Sequence, residues 1–237
     1  MGNKKVLGLL MAGVAITCLT GCGNGTVDGA ISKLNKEYGE TFTYRYTENK
    51  YAANGLDFYV ECESYPGKKI NVESIRENGQ IVLYDGYLGL KYEEQTRELL
   101  QEAMEEALGT RVYVKYNRHL NTMDCPSGDM TFDEYIQKPE MRIGFCVITD
   151  KPYTEEEQKE IELAVENALI ERNICCIDGR IYFDDGSGHF DDLYYAENKS
   201  EEAKLYLYHD YYNKCFEFYM EDTTGFSKSE WRNRNGE

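Results

Sequence analysis

The sequence predicts an α+β fold: largely antiparallel sheet, with two long amphipathic helices packed on one face. Three observations carry that expectation. Short alternating runs rich in Tyr, Val, Ile and Phe recur along the chain, several of them bounded by Asn-Gly or Asp-Gly. Two stretches, 92–108 and 154–172, repeat apolar residues at helical spacing. Most of the intervals between strand-like runs are short enough for hairpins. With 41% hydrophobic residues and 4 prolines in 237 residues, the chain can fill a core and is not a disordered or collagen-like polymer.

The elements follow in order. Residues 27–38 form a short helix with Ile31, Leu34 and Tyr38 on one face and Gly39 as its stop. Thr41 to Thr47 and Leu56 to Glu63 alternate as strands. Lys69 to Ile75 and Gln80 to Tyr84 flank Asn78-Gly79, a strong hairpin signal because both residues tolerate positive φ. The first long helix carries Tyr92, Thr96, Leu99, Leu100, Ala103, Met104, Ala107 and Leu108 on one stripe, with Gly109 at the left-handed cap position. Strand 111–116, a polar loop 117–130, a short helix 132–137 and strand 141–149 come next. Thr154 and Glu157 suggest a capping box for the second long helix, whose stripe is Ile161, Ala164, Val165, Ala168 and Leu169 and whose stop is Asn173. Residues 174–177 and 180–184 read as a hairpin around Asp178-Gly179. Residues 185–203 read as acidic and irregular, and 205–210 with 214–220 as a last hairpin. The helical stripes align at a fixed offset, Leu100 with Ile161 and Leu108 with Leu169, which suggests a duplicated strand–helix–strand unit.

The N-terminus carries an address. Lys4 and Lys5 precede a mostly apolar run, Val6 to Leu19, which is shorter than a membrane-spanning helix needs. It ends in Leu19-Thr20-Gly21-Cys22. This pattern resembles the lipobox of bacterial prolipoproteins, and the resemblance implies cleavage before Cys22 and its lipidation. The alternatives are an ordinary secretory signal with a chance cysteine, and myristoylation at Gly2, where Lys5 and Val6 depart from the motif. The expected organisation is a signal peptide at 1–21, a lipidated cysteine and tether at 22–29, a globular domain at 30–222 and a loose polar tail at 223–237. The mature chain also resembles the small Tyr- and Glu-rich lipoproteins of low-GC Gram-positive bacteria, through Tyr38-Gly39-Glu40-Thr41-Phe42 and Tyr84-Asp85-Gly86-Tyr87-Leu88. Residues 29–85 are similar to a PepSY helix-then-strands unit without its Asp-x-x-Thr-Gly ending. Neither resemblance implies an activity.

Loss of Lys4 and Lys5 with the leader takes the formal charge from −17 to −19. That balance argues against nucleic acid, which needs clustered Lys and Arg. Six cysteines remain beyond Cys22: Cys62, Cys125, Cys146, Cys175, Cys176 and Cys215. An extracytoplasmic address permits disulfides among them without choosing a pairing. There is no C-x-x-C, P-loop or G-x-G-x-x-G motif, and no cofactor is expected.

Four features could carry function. The acidic loop offers Asp184, Asp185, His189, Asp191 and Asp192 as candidate cation ligands, although glycines stand where an EF-hand needs carboxylates. Loop 117–130 holds His119, Asp124, Cys125 and Ser127, without a hydrolase signature around them. Both long helices carry an acidic face, with Glu98, Glu102 and Glu106 on the first, suited to a cationic partner or an envelope component. Tyrosines of the expected last hairpin, Tyr206 and Tyr208 among them, suit a recognition surface. Two function classes follow. The preferred one is a membrane-tethered, extracytoplasmic binding module that protects against a cationic protein in the manner of an immunity lipoprotein. The other is an envelope hydrolase using loop 117–130 or the acidic loop.

Overall fold

The structure is a computed structural model that describes residues 27–49 and 55–233. The leader, Cys22 and the expected lipobox lie outside the described residues. The chain is α+β, built on two sheets.

Helix α1 (Val27–Tyr38) leads into a four-stranded antiparallel meander: β1 (Phe42–Asn49), β2 (Gly55–Cys62), β3 (Ile70–Glu77) and β4 (Gln80–Asp85). The helix starts inside the expected tether. Leu34 and Tyr38 reach the core with Ala30, and Ile31 packs against it from a half-buried position. Alternation positions β2 and β3, which bury Phe58, Val60 and Cys62 against Ile70 and Val72. Asn78 (φ 49°) and Gly79 (φ 84°) close the β3–β4 hairpin, with Glu77 paired to Gln80.

A short helix, α2 (Tyr87–Lys91), precedes α3 (Glu93–Leu108). Gly109 ends α3 in the left-handed conformation at φ 65°, as the sequence predicts. The second sheet follows, in spatial order β5 (Val112–Arg118), β6 (Ile143–Thr149), β7 (Ile177–Asp184), β8 (Tyr212–Met220) and β9 (Lys228–Asn233). Helix α4 (Phe132–Gln137) lies between β5 and β6, and α5 (Gln158–Glu171) between β6 and β7. Helices α6 (His189–Tyr195) and α7 (Lys199–Tyr208) lie between β7 and β8. The pair β6–β7 is parallel and the others are antiparallel.

Alternate residues of the second sheet enter two separate clusters. Val112, Val114, Phe145, Val147, Ile181 and Phe183 join one continuous core with the stripes of α3 and α5 and with the first sheet. Tyr113 and Ile148 face the other way, into a smaller cluster under Phe190 and Leu193 of α6 and Ala203 and Tyr206 of α7. Helices therefore serve both clusters and are not confined to one face.

Several expectations are corrected. Residues 177–184 make one strand, not a hairpin. Gly179 sits mid-strand, where a side chain would collide with the Phe218 ring. Residues 199–208 are helical. Asn198 caps that helix by accepting from the Glu201 backbone N–H, and Ala203 and Tyr206 are buried at a three-residue interval. The expected loose tail contains β9. The capping box belongs to α4, where Thr131 and Glu134 exchange hydrogen bonds; Thr154 instead donates to the Glu157 carboxylate before a 3-10 turn. The duplication does not hold: β4–α3–β5 passes from one sheet to the other, whereas β6–α5–β7 returns to the same sheet.

Candidate functional site

A cleft of about 420 Å³ opens where the two sheets meet. Tyr59 of β2, and Lys69, Ile70 and Asn71 at the start of β3, line one side. Tyr116, Asn117 and Arg118 of β5, followed by His119, line the other. Gly86, between β4 and α2, Glu93, the first residue of α3, and Leu120 complete the lining. The Arg118 guanidinium ties the two sides together, donating to the Lys69 carbonyl at 3.1 Å and lying 3.8 Å from the Glu93 carboxylate. Lys69 carries its ammonium 5.2 Å from the Tyr46 ring, which packs on Tyr59 at 4.8 Å. The Asn71 Oδ1 is buried and finds no hydrogen-bond partner among the described residues. Burial, helped by Arg142, holds the His119 imidazole below its usual pKa, so it is neutral at pH 7. In a chain of charge −17, this cleft gathers Lys69 and Arg118 around one carboxylate.

Loop 117–130 does not form a catalytic group. It covers the open edge of β4: Cys125 N–H donates to the Leu83 carbonyl, Leu83 N–H to the Asp124 carboxylate, and Asn121 N–H to the Asp85 carbonyl. Asp124 also pairs with Lys33 of α1. Cys125 is buried beside the Tyr38 hydroxyl, and burial, then the nearby Asp85, push its thiol up to about 12. Ser127 Oγ accepts from the Asp129 backbone. His119 lies instead over Gly144 of β6, where a Cβ would collide with its ring. Nucleophile and base candidates of this loop therefore serve different parts of the fold.

The acidic loop is also structural. Asp184 accepts from Gly186 N–H, Phe190 N–H and the Tyr206 hydroxyl, which joins β7 to α6 and α7. Asp185 accepts from Ser187 N–H. Asp191 pairs with Arg111 at 3.0 Å, and Asp192 lies 3.4 Å from His189. Among the described residues no group of three or more His, Cys, Asp or Glu side chains could hold a metal ion.

The expected partner-binding residues divide. Glu98 and Glu102 are exposed on α3, while Glu106 pairs with Arg172 at 2.7 Å. Tyr208 is 80% exposed, but Tyr206 is 2% exposed and belongs to the smaller cluster, so it cannot be a surface anchor. On the second acidic face, Glu162 accepts from the Trp231 indole and Glu166 from the Phe226 backbone, so both hold the C-terminal segment. All six described cysteines are buried and unbridged.

One solved structure is similar in part: a DUF5037 family protein from Ruminococcus gnavus, 14% identical, at a TM-score of 0.39, over 84% of this chain and 92% of that one. No protein-family model and no curated protein matches the sequence. Sequence reasoning missed the cleft because Lys69 and Arg118 lie 49 residues apart. A sparse set of bases in an acidic chain was the available signal.

Proposed function

We propose that this chain is a bacterial lipoprotein, held at the extracytoplasmic face of the cell membrane through Cys22, and that it works as a binding module for a cationic protein or envelope component. An immunity lipoprotein is the kind of protein that fits. The observation that carries this reading is the run from Lys4 to Leu19-Thr20-Gly21-Cys22. Two acyl chains on Cys22 would give a stable attachment. Helix α1 begins at Val27, five residues after Cys22, a span of at most about 18 Å. The anchored domain would therefore stay close to the bilayer. The exposed Glu98 and Glu102 on α3 support a cationic partner.

The hydrolase reading lacks comparable support, because Cys125, Ser127 and His119 are engaged separately. Replacing Cys22 with Ser tests the anchor. Metabolic labelling with a fatty acid should mark the parent and leave Cys22→Ser unlabelled and uncut. Equal label in both would exclude lipidation at Cys22.

A further inference from the structure

We propose that the cleft between the two sheets binds a small acidic saccharide, a ligand with one carboxylate and several hydroxyls. This goes beyond the tethered binding module and does not depend on the anchor or on the acidic face of α3. The chemistry of the lining selects the ligand. Lys69 and Arg118 supply two cations, and Arg118 is held in place by the Lys69 carbonyl and Glu93. A planar guanidinium and an ammonium on opposite walls of one cleft suit a carboxylate between them. The remaining polar lining wants donors from the ligand: the buried Asn71 Oδ1 has no partner among the described residues, and the Glu93 carboxylate accepts only. A simple carboxylate such as acetate offers no such donors, whereas sugar hydroxyls do. Tyr59 and Tyr116 offer aromatic surface for the C–H face of a pyranose ring. The volume, about 420 Å³, falls within the ~300–1,000 Å³ of ordinary ligand clefts.

A basic cleft without an orphaned acceptor would suit any anion, and an aromatic cleft without cations would suit a neutral sugar. Both features together require charge and hydroxyls on one ligand. An unpaired buried acceptor costs stability until something donates to it, so binding should depend on Asn71 as well as on the cations.

The test is calorimetric titration of the full chain, purified in detergent, with D-glucuronate, D-glucose, acetate and inorganic phosphate. Glucuronate should bind saturably, and glucose and acetate each at least about tenfold more weakly. Lys69→Gln, at an exposed position, and Asn71→Asp, which sets a charge against the ligand carboxylate, should each weaken glucuronate by about tenfold or more. Unchanged denaturation midpoints would show that these variants remain folded. If Asn71→Asp unfolds the chain, Lys69→Gln alone decides. No saturable glucuronate binding, equal binding of acetate or phosphate, or indifference to Lys69→Gln would overturn the proposal. Loss of lipidation in Cys22→Ser would leave every one of these readings unchanged.

Discussion

Asp85, 1% exposed at the end of β4, has its carboxylate held by the Tyr38 hydroxyl at 2.8 and 2.9 Å and by the Tyr87 N–H at 2.9 Å. Burial outweighs these bonds and raises its pKa from 3.8 to about 6. The folded chain therefore holds a proton that the unfolded chain releases between those values. The associated stability is complete below pH 3.8 and is lost as pH rises through about 6. A shift of this size corresponds to about 3 kcal/mol. Asp85→Asn should flatten that part of the pH profile, with urea midpoints at pH 4 and pH 7 moving closer together than in the parent. An unchanged gap would show that Asp85 does not carry the dependence. The sequence placed Asp85 only in a low-specificity string, because its burial depends on Tyr38, which is 47 residues away. Asn78 and Gly109 were legible for the opposite reason: their backbone geometry is set within a few residues.

At the level of elements, helical periodicity was legible where one stripe faced one core. Leu100 and Leu169 are fully buried, as their spacing predicts. Leu→Ala at either should cost about 2–5 kcal/mol, whereas Glu102→Ala on the exposed face should change stability by less than about 0.5 kcal/mol. Chemical denaturation compares them directly, and equal losses at Leu100 and Glu102 would contradict the packing. The reading of 174–184 failed because Asp-Gly carries a turn signal only when no neighbour needs the empty space. Here the Phe218 ring occupies it. Gly179→Val should therefore destabilise the fold by about 1–3 kcal/mol through overpacking, and equilibrium unfolding reads the loss. The apolar run Ile143–Thr149 held the missed clue. A strand buried at every position is covered on both faces and favours a parallel neighbour, which β7 supplies.

Across the whole molecule, charge and topology separate two roles. The charge of −17 should speed encounter with a basic partner and make the rate fall with salt, because exposed charges are screened beyond about 8 Å at physiological ionic strength. Lys substitutions at Glu98 and Glu102 should slow association without changing the unfolding midpoint. Stopped-flow binding across a salt series, using a partner captured from the envelope, checks this; a salt-independent rate would leave α3 a solvated surface. The cleft, formed between sheets far apart in sequence, was illegible beforehand for the same reason that the first sheet was legible: β1 to β4 pair with their immediate neighbours. The second sheet is finished only by β9, which pairs with β8. The chain has a single tryptophan, Trp231, which stacks on Phe216 at 4.6 Å and donates to Glu162 from within β9. Its fluorescence therefore reports arrival of the last strand. In refolding, circular dichroism should gain the local meander before Trp231 reaches its native emission, since non-local pairing carries the larger loop-closure cost. During synthesis the same order would apply. Residues of the first sheet emerge early and can pair at once, and the indole is the clock hand that stops when β9 docks on β8.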